Sequence, residues 1–117
     1  MLYIMKLARE SALIQLRKGV LEYCVLAQLR REPSYGLKLS LDLVKYETLF
    51  ASEGSLYPLL ARLRKQGWVE TTWQESTSGP PRRYYRVTVA GEEALAAFAE
   101  AWAPFTREAT SVLEGEI

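Results

Sequence analysis

TSGPPRRYYRVT, residues 77–88, sets two prolines, two arginines and two tyrosines side by side ahead of a Val-Thr pair. A buried strand does not carry Arg82 and Arg83, and a flexible linker does not carry Tyr84 and Tyr85. The flanks resolve the conflict. Upstream, WVETTWQ (68–74) is rich in β-branched and aromatic residues, and ESTSGPP (75–81) is dense in turn formers. RRYYRVTV (82–89) then reads as a return strand, so the whole is a β-hairpin with a loop of several residues. Alternation sends Tyr84 and Arg86 to one side of that strand and Arg83, Tyr85 and Val87 to the other. Arg82 and Arg83, at the base of a Gly-Pro-Pro turn, are placed to straddle a phosphate backbone, with a tyrosine hydroxyl as a further donor. The plainer reading is one inward tyrosine and two solubilising arginines.

Just before the hairpin lies EGSLYPLLARLRKQG (53–67), a helix opened by Ser52 or Ser55 and closed by Gly67. At 100° per residue Leu56, Leu59, Leu60 and Leu63 share one narrow arc, which must face a core. Opposite stand Gly54, Pro58, Ala61 and Lys65, flanked by Tyr57, Arg62 and Arg64. Gly54, four residues back, leaves room for the Pro58 ring. A face that is small at its start and basic at its end allows close approach to DNA and contact with phosphates or guanine edges. A merely solvated basic face is the competing reading.

Further upstream, residues 11–31 carry two apolar stripes, one of Leu13, Leu16, Val20, Cys24 and Ala27, the other of Ile14, Leu21, Val25 and Leu29. Two stripes mean a helix covered from more than one side. MLYIMKLARE (1–10) reads as its lead-in rather than a signal peptide, and Pro33 stops it. Ser34 is expected to cap a second helix running to Lys45, with Leu37, Leu41 and Val44 at spacings of four and three. Downstream, Thr88 caps a last helix running to Leu113, with Glu92 and Glu93 in its first turn where the dipole favours acids. There Leu95, Phe98, Trp102, Phe105, Ala109 and Val112 follow spacings of three and four, the seam of a helix that packs on another helix. A chain of 117 residues has no spare internal surface for so long a seam, so the expected partner is a second subunit. That subunit's first helix, with Leu13, Leu16 and Val20, would cover it. Pro104 should bend this helix, and Trp102 among alanines is either interface filler or the wall of a gap.

Long helix, helix, helix, hairpin and long helix make a winged helix-turn-helix, mainly α with a small β-hairpin (α+β). Residues 1–88 would form the N-terminal helix and DNA-binding part and 89–117 the dimerisation helix, within one compact domain. Composition is that of a folded chain, 49% hydrophobic and 25% charged, with a net charge of only +1. The charge is nonetheless segregated. Six basic residues face three acidic ones over 51–88, and one faces six over 89–117. A single cysteine, Cys24, excludes an intrachain disulfide and suits a reducing compartment; it reads as a buried, inert thiol. With no membrane-length apolar run, the expected location is the cytoplasm. No histidine, no phosphate-binding glycine loop and no nucleophile elbow occur, which points away from an enzyme and from metal or cofactor binding.

Two longer patterns carry a resemblance. Gly54, Ser55, Leu56, Tyr57, Pro58, Leu60, Arg62 and Leu63 meet G-[ST]-L-Y-P-x-L-x-R-L; Gly79, Arg82, Arg83, Tyr84, Tyr85, Val87, Thr88 and Gly91 meet G-x-x-R-[RK]-Y-Y-x-[LV]-T-x-x-G. With Tyr35-Gly36 at the start of the second helix, the chain resembles the PadR family of transcriptional repressors over residues 19–113. A single C-terminal helix is similar to the short subfamily, which includes multidrug-binding members. The resemblance implies a homodimeric repressor that leaves its double-stranded DNA operator when a small effector or other signal arrives. The expected DNA-binding set is then Tyr35, Lys38, Ser52, Gly54, Ser55, Tyr57, Pro58, Arg62, Lys65, Arg82, Arg83 and Tyr84. In drug-binding short members a tryptophan in an F-x-x-x-W pattern stacks flat ligands, which implies Trp102, with Phe98 and Leu13, as a site for a flat aromatic effector. The alternative is a winged helix used for protein interaction or ligand sequestration, without an operator; a docking surface of that kind would be more apolar.

Overall fold

The computed structural model describes residues 1–51 and 53–115. Helix α1 spans Leu2–Arg31, strand β1 Ser34–Tyr35, helix α2 Gly36–Leu43, helix α3 Leu56–Lys65, strands β2 Val69–Ser76 and β3 Gly79–Val87, and helix α4 Val89–Glu114. A short 3-10 turn, Glu53–Ser55, leads into α3. The fold is the expected winged helix-turn-helix, with one more strand.

Four corrections concern local structure. The lead-in is part of α1 itself. Ser34 does not cap α2: it is buried in β1, paired with Tyr85, and Tyr35 holds the cap position. The hairpin loop is only Thr77 and Ser78, because Gly79, Pro80 and Pro81 already belong to β3. Pro lacks a ladder donor, and both prolines lie near the hairpin tip, beyond a register shift between Gln74 and Ser76. On α2 the buried apolar side chains are Leu39 and Leu43, whereas Leu37, Leu41 and, just past the helix end, Val44 are exposed. Both sets have helical spacing, so periodicity alone left the choice of face open.

The core gathers Val25, Leu26 and Leu29 from α1, Leu39 and Leu43 from α2, the four leucines of α3, Val69 and Tyr85 from the sheet, and Leu95 from α4. The sheet order is β1-β3-β2, antiparallel throughout, with Val69 opposite Val87 and Trp73 opposite Arg83. Thr88 fastens the wing to the last helix. Its Oγ accepts from the Gly91 amide at 3.1 Å and donates to the Gly67 carbonyl at 2.6 Å, and its own amide donates to the Trp68 carbonyl at 3.0 Å. Gly67 ends α3 with φ 77°, and a Cβ at Gly91 would meet the Trp68 carbonyl oxygen at 2.1 Å. The end of α3 and the start of α4 therefore share one hydrogen-bonded junction.

Candidate nucleic-acid interface

Burying Leu56, Leu59, Leu60 and Leu63 turns the rest of α3 outward, and Tyr57, Pro58, Ala61, Arg62, Arg64 and Lys65 are all exposed. Gly54 and Ser55 are exposed at its approach. Ser52, also expected here, lies outside the described residues. Among the described residues Arg64 and Lys65 take part in no ion pair, whereas Arg62 donates from Nε to Glu22 Oε1 on α1 at 2.8 Å.

Tyr57 leans on the start of α2. A Cβ at Gly36 would sit 2.6 Å from its ring, so only glycine leaves room for that contact. Next to Gly36, the Tyr35 ring lies 5.1 Å from Tyr84 on one side, and the Arg82 guanidinium stands 4.4 Å above it. Stacking on an aromatic face holds a guanidinium while leaving its edge donors open. Tyr35-Gly36 thus bridges helix and wing. Arg83 has the other destination: it lies 5.0 Å over Trp73, its cross-strand partner, on the opposite face of the ribbon. The two arginines are adjacent in sequence and divergent in space. Arg86 is paired with Glu70. Lys38 is engaged as well, 3.1 Å from both Asp42 and Glu32; the hydrogen bond it donates to Asp42, and then the one it donates to Glu32, push its pKa upward.

A recognition helix with an open basic end, beside a ribbon carrying guanidinium groups, is the arrangement for gripping a duplex. Comparison with known proteins decides whose arrangement it is. The transcriptional regulator PadR-like family model matches residues 25–97, well over half of the chain. The chain belongs to the PadR-like family of transcriptional regulators. A PadR family transcriptional regulator from Eggerthella lenta is 32% identical, with 97% of this chain and 98% of that one covered at a TM-score of 0.83. A PadR-like regulator from Bacillus cereus is 41% identical over 85% of this chain and 96% of its own, TM-score 0.74. An uncharacterized protein from Lysinibacillus sphaericus is 25% identical over 84% of this chain and 92% of its own length. PadR-like proteins are transcription regulators rather than enzymes, and DNA is the partner that membership implies. Among the described residues no helix is long and apolar enough to cross a membrane.

The PadR-like chain also carries a groove of about 360 Å³ between its own α1 and α4, lined by Leu16, Val20, Phe98, Trp102 and Phe105 among others. Leu13, expected at this site, is not among the lining residues; Leu16, one position round the same stripe, stands there instead. Trp102 is 44% exposed and stacks on Phe98 at 5.4 Å. Phe98 stacks on Tyr23 of α1 at 4.1 Å, and Tyr23 lies 5.7 Å from Trp68. This aromatic column from the groove to the α3–α4 junction was not visible in the sequence, because its members come from three separate segments. Trp68 belongs to that junction, ahead of β2, and not to the hairpin.

The expected interface seam divides. Leu95, 5% exposed, is part of the chain's own core, so its side chain faces inward rather than toward a partner. Phe98 is half-buried against Tyr23. Phe105 and Val112 are open, Ala109 is half-buried, and α4 runs on through Pro104. Leu16 is open on α1, with Leu13 and Val20 half-buried. Cys24 is half-buried on the same helix, and that burial pushes its thiol pKa up, away from the reactive thiolate.

Proposed function

We propose that this chain is a homodimeric, sequence-specific repressor that reads a double-stranded operator with α3 and the wing and lets go when a flat aromatic molecule enters the Trp102 groove. The observation that carries the reading is the run of neighbours from Tyr57 on α3, across Gly36 and Tyr35, to Arg82 on the wing, with Lys65 exposed on the same helix. Lys65 and Tyr57 read bases, Arg82 holds phosphate from this surface, and Arg83 holds it from the other face of the ribbon. Tyr84 supports Arg82 through their shared neighbour Tyr35, and Lys38 contributes when a phosphate draws it from its carboxylates. Dimerisation through the open apolar faces of α1 and α4 supplies the two-fold symmetry that an operator with two half-sites requires. The site of action is the cytoplasm, with the chromosome.

Support for the effector comes from the aromatic column. A planar ligand that stacks on Trp102 pushes on Phe98 and Tyr23, and the column ends at Trp68, beside the residue that terminates α3. Release then follows from a ligand that prefers a different spacing of the two recognition helices, by that difference in affinity.

A mobility shift at low salt, with the DNA upstream of the protein's own gene, tests the first half. A retarded complex is expected; a folded dimer that retards no duplex fits a protein-interaction module instead. A planar dye tests the second. It should quench tryptophan fluorescence and loosen the complex in wild type but not in Trp102→Ala, which controls for Trp68 and Trp73. Equal binding to both proteins would leave Trp102 as interface filler.

A further inference from the structure

Of the three basic residues that close α3, Arg62 is the one whose charge is already answered. It lies about 110° round the helix from the centre of the leucine arc, on the flank of Leu59 and Ser55. That flank borders a groove whose other wall is α1, with Ile14, Arg17, Leu21 and Glu22. Lys65 lies almost opposite the arc, and Arg64 is on the far flank. Directional contact with α1 comes from the guanidinium Nε, 2.8 Å from Glu22 Oε1 and forty residues away in sequence. Glu22 is only 20% exposed at its side chain, so drawing Arg62 off to a phosphate would strand a largely covered carboxylate. Arg17, which lines the same groove, donates from its Nε to the Thr48 carbonyl at 2.9 Å, in the connection ahead of α3. One side-chain bond thus ties the helix expected to carry the dimer contact to the one expected to read DNA, and a second ties it to the connection that leads there.

We infer that Arg62 is a positioning residue and not a DNA contact: with Glu22 it pins α3 to α1, so that the seat of the recognition helix follows the long helix. The inference rests on the DNA-reading role proposed for α3. It separates Arg62 from Lys65 and Arg64, with which composition groups it.

Five proteins test this: wild type, Arg62→Ala, Glu22→Ala, the double Glu22→Ala with Arg62→Ala, and the reversed pair, Glu22→Arg with Arg62→Glu. The specific probe is a duplex enriched from a random library by the wild type, and a scrambled duplex of equal length is the nonspecific one. Each single substitution is expected to lower the ratio of the two affinities by about fivefold. The slope of log affinity against log salt on the scrambled duplex stays unchanged, and the reversed pair recovers most of the ratio. A phosphate contact behaves otherwise. Arg62→Ala would then flatten the slope by about 0.9, Glu22→Ala would tighten binding, and the reversed pair would bind worst. That result overturns the inference. Urea unfolding without DNA provides an independent arm. Each single change is expected to raise the unfolding constant ~threefold, and the double Glu22→Ala, Arg62→Ala no further. Additive losses would show that no pin exists. If the wild type enriches no duplex, the DNA-reading role fails, and the urea cycle alone decides whether the pin is real.

Discussion

Two regions of the molecule use the same apolar residues to different ends. Between Leu21 and Leu95, most leucines and valines pack into one core, with Leu37, Leu41, Val44 and Val89 left outside it; beyond that stretch, Leu2, Ile4, Met5 and Leu7 on α1 and Phe105, Val112 and Leu113 on α4 face solvent. Propensity does not separate them, since both stretches are good helix. Reach does. A helix of 30 residues is about 45 Å long, and the winged part backs only its C-terminal third, which leaves the chain 54 Å in its longest extent and 21 Å in its shortest. The first region stabilises the fold, and the second leaves its apolar surface open, the face that the proposed dimer would cover.

The sharpest test of this contrast compares Leu60→Ala with Phe105→Ala. Leu60 is fully buried, so its truncation should cost about 2–5 kcal/mol in urea unfolding. Phe105, 69% exposed, should cost a dilute chain little. Equal losses at low concentration would erase the distinction between core and assembly surface. Next in size, Phe105→Glu places a charge where a partner is expected. It should raise the dimer dissociation constant about 100-fold or more while the circular dichroism of the chain is retained, as sedimentation at a series of concentrations would show. A wild-type protein that sediments as a folded monomer at micromolar concentration would break the contrast from the other side.

Smaller effects are expected within the winged part. Arg82→Ala and Arg83→Ala should each weaken binding to any duplex and flatten the salt dependence by about 0.9, because each lost phosphate contact releases fewer counterions. Their neighbours set them apart: Tyr35→Leu removes the ring beneath Arg82 and should loosen it alone, whereas Trp73→Leu should act only through Arg83. Identical salt titrations for all four variants and wild type would take the wing out of DNA contact. Lys65→Ala should in addition change which bases are preferred, which neither wing substitution does.

Much of this was legible along the chain. The four leucines of α3, Gly67 at its end, the Thr88 cap and one inward tyrosine of the Tyr84-Tyr85 pair are local facts, set by helical period, by left-handed backbone and by strand alternation; that it is Tyr85 came from the structure. Local rules see one element at a time, and they name its apolar faces without saying which face meets a neighbour. That is why Leu37 and Leu41 competed with Leu39 and Leu43 on α2, and why Leu95 passed for the first residue of an intersubunit seam. Pairing across sequence is likewise a property of packing. Ser34 looked like a cap until Tyr85 was brought beside it, and Arg62 looked like Lys65 until Glu22 came within 2.8 Å. A charge declares itself in the sequence, but its partner is fixed only when two distant helices settle against the same core.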